Sequence, residues 1–437
     1  MRSSVAWSSC IVAVLVVVSG VARGDSTAWR DRWSHQGDDW FDPANWTNGI
    51  PRSVDTVVIH DYCDPMPVIS GSLAVAGTLL LGDGAVTLTI AGGELRTGAT
   101  IVREATVLHS SGTHATGLLV LSSLNEAVYR LSGSGYLSVD AVGSASMEAH
   151  SKMYQTGGVF DCGGTLTIGG DGFERYYLTG GVMRAATIRI QNAWSSANLL
   201  EVGGGALQAG LLELGIKRDP LMDWHTDTFR IASSSSHVEL GSITLGTRAR
   251  IEAEPGSAVH FVPGGGDCRV TIGATNADNL AGLRNIAAYF DGGTSVLEAA
   301  SLCTGDDSAF AFGAVYVGLE AQARLLLEDQ FDNGRRTEGR ECLRTYELDV
   351  AQGSYIELGG LSLLVAGDVA AELSGMIADG RLRNGGASHL EAIYDSASGW
   401  TAVHAPEPVT AMTLLAGLGA LLSRRRRPGR QQRRSFR

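Results

Sequence analysis

The stretch Tyr154–Ile168, YQTGGVFDCGGTLTI, is echoed 23 residues later by Tyr177–Ile190, YLTGGVMRAATIRI. The same outline recurs as YRLSG from Tyr129 and LEVGG from Leu200, with steps of 25, 23 and 23 residues along the series. Each copy runs from an aromatic or leucine through a β-former to a glycine-rich corner and then a hydrophobic pair, Val159-Phe160 or Val182-Met183. A second run follows each corner: TLTI at Thr165, TIRI at Thr187, LLEL at Leu211 and, after a longer insertion, SITL at Ser242. These runs alternate apolar and polar residues, the period of a strand with one buried face. Helical periodicity is nearly absent from Leu73 to Pro263.

A unit of two or three short strands cannot bury its own apolar face, so it must stack on its neighbours. The expected fold is therefore all-β: a parallel β-helix (β-solenoid) with glycine corners, right-handed as crossover connections are. Glycine suits the corners because it accepts positive φ. A globular sandwich would space its strands every 8–12 residues and gives no reason for the repeated Y-x-T-G-G corner.

Composition agrees. Of 437 residues, 57 are glycine and only 10 proline, and the hydrophobic fraction of 44% suffices for a core. The 34 basic residues include just two lysines, Lys152 and Lys217. Ten arginines lie in the first 24 residues and in the tail from Arg424, so the body between carries a formal charge of about −21. Such a body repels nucleic acid and anionic polymers and attracts cations.

Both ends read as transport signals. Arg2 precedes the unbroken apolar run Ile11–Val18, and Ala22 and Gly24 suit signal-peptidase cleavage, giving a signal peptide over 1–24. At the other end Pro406-Glu407-Pro408 is followed by the apolar segment Val409–Leu422 and the cluster Arg424, Arg425, Arg426 and Arg427. As a helix that segment extends about 21 Å, short of a ~30 Å hydrocarbon core. The arginines would hold the cytoplasmic side, pausing the chain in the membrane with its bulk outside.

This three-part end, taken as residues 401–437, resembles a PEP-CTERM sorting tail. The resemblance implies recognition by an exosortase-type membrane protease and processing near the Pro-Glu-Pro, after secretion. Ten residues, Pro428–Arg437, run on past the point where such tails usually stop. A plain single-span anchor is the alternative, and it also puts the body outside.

The remaining chain divides into a Trp-rich cap with first strands (25–70), solenoid repeats (71–265) and a C-terminal β-solenoid module (266–400). The cap region concentrates Trp33, Trp40 and Trp46 beside the first strand Val57–Ile59. A solenoid needs its first coil covered, and three indoles would do that. The alternative is a glycan-stacking surface. The wording GDDWFDPANW, followed by GIP and DTVVI, resembles the opening of many secreted bacterial β-solenoid and autotransporter-like proteins. LLLEDQFDNG, then GRECLRTYELDVAQGSYIELGGLSLLV, resembles a C-terminal module of secreted PEP-CTERM proteins of the planctomycete type, in which further strands close the solenoid. One short helix is expected from Asp368 to Ile377.

Chemistry is sparsely signposted. The chain contains no G-x-S-x-G, no H-E-x-x-H and no phosphate-cradling glycine loop leading into a helix. His109 and His114 lie five apart without a third ligand nearby, which does not make a zinc site. Asp329, Asp332 and Asn333 cluster oxygen ligands as calcium prefers, although Asp-Asn-Gly is also an ordinary turn formula. Asp161 and Arg184 each follow a repeat tyrosine by seven residues, which stacks them on adjacent coils within ion-pairing reach. Five cysteines stay in the body: Cys63, Cys162, Cys268, Cys303 and Cys342. Cys303 and Cys342 are a conceivable pair, and Cys162 reads as a small buried apolar residue.

These features point to an exported structural or adhesive protein of the cell envelope or extracellular matrix. Its expected partners are the secretion machinery, the sorting protease and an extracellular polysaccharide. Two other classes share the sequence: a carbohydrate-active β-helix enzyme (polysaccharide lyase or hydrolase) and a calcium-dependent glycan-binding module.

Overall fold

The computed structural model describes residues 25–404, apart from 31–36, 61–65, 83, 124, 171, 192–196, 217–225, 264–267, 273–276, 299–300, 303–310, 329–340 and 386–388. The signal region, Trp33, the Asp329/Asp332/Asn333 loop and the sorting tail from Ala405 onward lie outside the described residues, while 401–404 belong to the strand Trp400–His404.

The chain is all-β and winds as a parallel solenoid of about 12 turns. The coil Arg175–Ile190 shows the plan. Three short strand segments, 175–178, 182–185 and 187–190, pair in parallel with the coil before and the coil after. They form three faces, called first, second and third below. Side chains alternate in and out along each, and coils repeat at the ~4.8 Å strand spacing.

Three interior columns result. The first face stacks Leu88, Val107, Tyr129, Met153, Tyr176, Leu200, Phe229 and Ile251. The second stacks Leu137, Phe160, Met183, Leu207, Val238 and Val259. The third stacks Leu119, Ala145, Leu166, Ile188, Leu212, Ile243 and Val270. All are buried and belong to one continuous hydrophobic core.

These columns correct the repeat read from the tyrosines. Tyr154 and Tyr177 do pair and stack outside the first face, their rings 5.2 Å apart. Tyr129, however, pairs with Met153, and Leu200 with Tyr176, so both belong to the interior column. The tyrosine-anchored alignment is one residue out at each end of the series. In a period-two element that slip exchanges inside for outside.

The two corners use glycine for different reasons. Between the first and second faces Gly112, Gly133, Gly158, Gly181 and Gly205 all have positive φ. At Gly181, with φ +80°, a Cβ would stand 2.3 Å from the Gly158 carbonyl oxygen. Between the second and third faces Gly77, Gly98, Gly117, Gly143 and Gly164 stack directly on one another. There the need is close approach, since a Cβ on Gly117 would lie 2.7 Å from Gly98 O.

The first coil begins at Ser26–Ala28, which pairs in parallel with Thr56–Ile59. Trp29, Trp40 and Trp46 are fully buried over it. Trp46 meets Trp29 and Trp40 edge-on at 4.8 and 4.7 Å, and its Nε1–H donates to Trp40 O at 2.8 Å. Indoles so enclosed have no face for a sugar, which removes the glycan-stacking alternative for Trp40 and Trp46. The parallel ladder continues past residue 265 through Ala323–Glu328, Tyr355–Glu357 and Leu382–Arg383. A five-stranded sheet with antiparallel pairs joins it at the C-terminal end, together with the helix Ala370–Ala378.

Candidate functional site: an axial trough on the second face

Outward positions of the second face form a column: Ser138, Asp161, Arg184, Gln208, Glu239 and His260. Beside its middle four rungs lies an open trough of about 590 Å³. The corner residues Gly163, Ala186, Gly210 and Gly241 line it, and their lack of side-chain bulk makes the hollow. One end is crowded by the bulge Asp140–Val142, where Ala141 approaches so closely that a Cβ on Gly163 would sit 2.6 Å from Ala141 Cα. At the other end Val262 follows Phe261 where Gly241 follows Leu240 one coil earlier, so a branched side chain replaces a glycine at the trough's edge.

Asp161 and Arg184 stand on adjacent coils in register, but they are bonded elsewhere. The Arg184 Nε–H donates to Gln208 Oε1 at 3.0 Å, and Gln208 Nε2–H donates to Glu239 Oε2 at 3.0 Å. Asp161 Oδ2 accepts from the Tyr136 hydroxyl at 3.2 Å. Burial, then the neighbouring Asp161 charge, raises the Tyr136 hydroxyl above its ordinary value. Among the described residues, Asp161 Oδ1, the two terminal nitrogens of Arg184 and Glu239 Oε1 take no part in these bonds. They offer acceptor, donor and acceptor along the axis.

Beyond the trough the column turns aromatic: His260, Tyr289 and Tyr316 stack at 4.6 and 4.8 Å. Ring faces spaced like this are used on one another.

The interior holds a second concentration of polar groups. His109 and His114 point inward and are 1% and 0% exposed. Both Nδ1 atoms lie 3.0 Å from the Tyr129 hydroxyl. His109 Nε2 reaches Gly112 O, and His114 Nε2 reaches Thr100 Oγ1, each at 3.0 Å; Thr100 contacts Thr97 Oγ1 at 2.7 Å. A carbonyl only accepts, so His109 carries its proton on Nε2 and accepts from Tyr129 at Nδ1. Tyr129 then accepts from His114 Nδ1–H, Thr100 donates to His114 Nε2, and Thr97 donates to Thr100. Both rings are neutral in this chain. Burial drives His114 down to about 3, with His109 adding to the shift, and lowers His109 also.

All four ring nitrogens of the two histidines thus have hydrogen-bond partners within the chain. Among the described residues no group of three or more His, Cys, Asp or Glu side chains could hold a metal ion. Alternation could have revealed them, because Ala105, Val107 and His109 share the buried parity. Cys162 and Cys268 are buried thiols whose burial raises both, Cys268 to about 11. Cys342 is buried, while Cys63 and Cys303 lie outside the described residues. No described helix is long and apolar enough to cross a membrane. Comparison with protein-family models, with curated proteins and with solved structures gives no match.

Proposed function

We propose that this is an exported, non-catalytic structural or adhesive protein of the cell envelope or extracellular matrix. Its right-handed solenoid body would be delivered by the N-terminal signal and sorted through the Pro406-Glu407-Pro408 tail by an exosortase-type protease. The observation that carries the non-catalytic reading is the arrangement of the trough acids. Asp161 and Glu239 are three coils apart, about 14 Å at the ~4.8 Å coil spacing. Paired carboxylates that hydrolyse glycosides stand ~5–9.5 Å apart, flanking a single bond. The group between them is the guanidinium of Arg184, and an arginine side chain is a hydrogen-bond donor with no acceptor, unsuited to the base role that a lyase needs. Side chains tied to one another along an axis suit holding an extended partner better than attacking one atom.

Two measurements test the reading. The intact mass of the protein recovered from cells should lack residues 1–24 and the segment beyond Pro408. Incubation with uronic-acid polymers should yield no unsaturated ends. A full-length mass would sink the sorting claim, and unsaturated products would sink the non-catalytic one.

A further inference from the structure

We infer that the trough on the second face binds a short run of an uncharged polysaccharide, laid parallel to the solenoid axis with about one sugar per coil. The inference rests on the adhesive reading above and names what is held.

Three features choose this occupant. The first is spacing. Polar rungs recur at the coil interval of ~4.8 Å. An extended chain of equatorially linked pyranoses advances one sugar in nearly that distance, so like hydroxyls meet like rungs. A peptide strand advances ~3.3 Å per residue and falls out of step within two coils.

The second is chemistry. Asp161 Oδ1, the Arg184 terminal nitrogens and Glu239 Oε1 remain for a ligand, while Gln208 braces the row by bonding both neighbours. Alternating acceptors and donors with little net charge match vicinal hydroxyls, each of which both donates and accepts. Carboxylates at both ends of the row, on a body of net negative charge, repel an acidic polymer. His260, Tyr289 and Tyr316 spend their facing rings on one another and stand beyond the trough, so recognition within it falls to the polar row.

The third is length. Ala141 crowds one end and Val262 the other, leaving the rungs of Asp161, Arg184, Gln208 and Glu239, room for about four sugars.

The test is calorimetric titration of the full chain with β-1,4-linked glucose and N-acetylglucosamine oligomers of increasing length, and with oligogalacturonate. A neutral oligomer should bind, with affinity rising up to the tetramer and flat beyond. Arg184→Ala should weaken binding about tenfold or more, as loss of a charged hydrogen bond does. Ala186→Phe, which fills the floor, should abolish it. Glu201→Gln, on the first face, should change nothing, and circular dichroism should show all three variants folded.

No binding of either neutral series, tighter binding of oligogalacturonate, or binding indifferent to Ala186→Phe would each overturn the inference. The mass measurement above is independent of these titrations. A trimmed protein that ignores glycans removes this inference alone, and an untrimmed protein that binds them removes the sorting proposal alone.

Discussion

Glu174 should make this protein less stable as the solution becomes more alkaline, and one substitution should reverse that. The side chain is 0% exposed and stands just before the first face of its coil. Its Oε1 accepts from Gly172 N–H at 3.1 Å, whereas Oε2 has no hydrogen-bond partner. Ser151 occupies the same column one coil earlier, and its buried Oγ likewise has none. Burial lifts the Glu174 carboxyl to about 7, with the Asp227 charge adding and backbone N–H groups opposing. In the unfolded chain the group titrates near 4.5, so the unfolded state releases its proton first. Stability is therefore intact below pH 4.5, falls as pH rises to 7 and is flat above. The shift converts to about 3 kcal/mol. Glu174→Gln keeps the acceptor for Gly172 N–H, places a donor near Ser151 and removes the titration. Urea unfolding followed by tryptophan fluorescence, from pH 4 to 8, should show the variant equal to the parent at pH 4. At pH 8 it should be about 3 kcal/mol more stable. The difference between the two curves isolates this group from every other. A variant less stable than the parent at pH 8 would mean the carboxylate is charged and compensated, and the reasoning would be refuted.

The interior histidines carry the opposite sign. Their folded values lie below 6.5, so stability should fall as pH drops from 6.5 toward 3, by up to about 4–5 kcal/mol for His114, and His114→Leu should flatten acid unfolding curves in that window. Gly181→Ala should cost well over the ~1–2 kcal/mol of a left-handed alanine, because its Cβ also meets Gly158 O. Gly360→Ala, with φ +90° but open space around it, should cost only that conformational term, and urea unfolding of the two variants side by side checks the difference. Trp46→Ala should destabilise by about 3–5 kcal/mol, and amide exchange should quicken first in Ser26–Ala28 and Thr56–Ile59.

Much of the architecture was readable because its signals are local. Alternation in TLTI and TIRI marks half-buried strands, the glycine corners recur, and the Trp-rich opening sits where a first coil needs cover. The helix expected over Asp368–Ile377 forms at Ala370–Ala378. The column position of Tyr129 was not readable from its tyrosine, because residue type is a weaker guide to facing than parity. Ala127, Tyr129 and Leu131 share the buried parity that Met153 holds one coil later. The trough needed more still. Asp161 and Arg184 could be placed on adjacent coils, but their bonding to Tyr136 and Gln208 depends on side-chain reach across coils. The hollow itself depends on which residues take the corner, where coil lengths differ. Step lengths in the first interior column are 24, 23, 24 and 29 residues from Tyr129 to Phe229, so no fixed period reveals it.

A solenoid of like coils faces a problem that a globular core does not. Its aliphatic columns would accept a neighbour from the wrong coil almost as well as from the right one, since Leu, Ile and Val exchange at little cost. Polar groups inside the barrel break that degeneracy. Thr100 comes from the third face, His114 from the second, and His109 and Tyr129 from the first, so the chain of hydrogen bonds closes only when all three faces pair in one register. In a register shifted by one coil, Tyr129 would meet the aliphatic rungs, and each orphaned donor or acceptor would cost ~1–3 kcal/mol. Near the middle of the solenoid Asn198 Nδ2–H donates to Asp227 Oδ1 at 3.0 Å on the next coil, in the column of Glu174. Such pairs add little net stability over apolar packing, because their desolvation offsets their attraction. Their contribution is discrimination: two markers, set several coils apart, tie a repetitive ladder to one alignment, and that alignment keeps Asp161, Arg184, Gln208 and Glu239 in a single row.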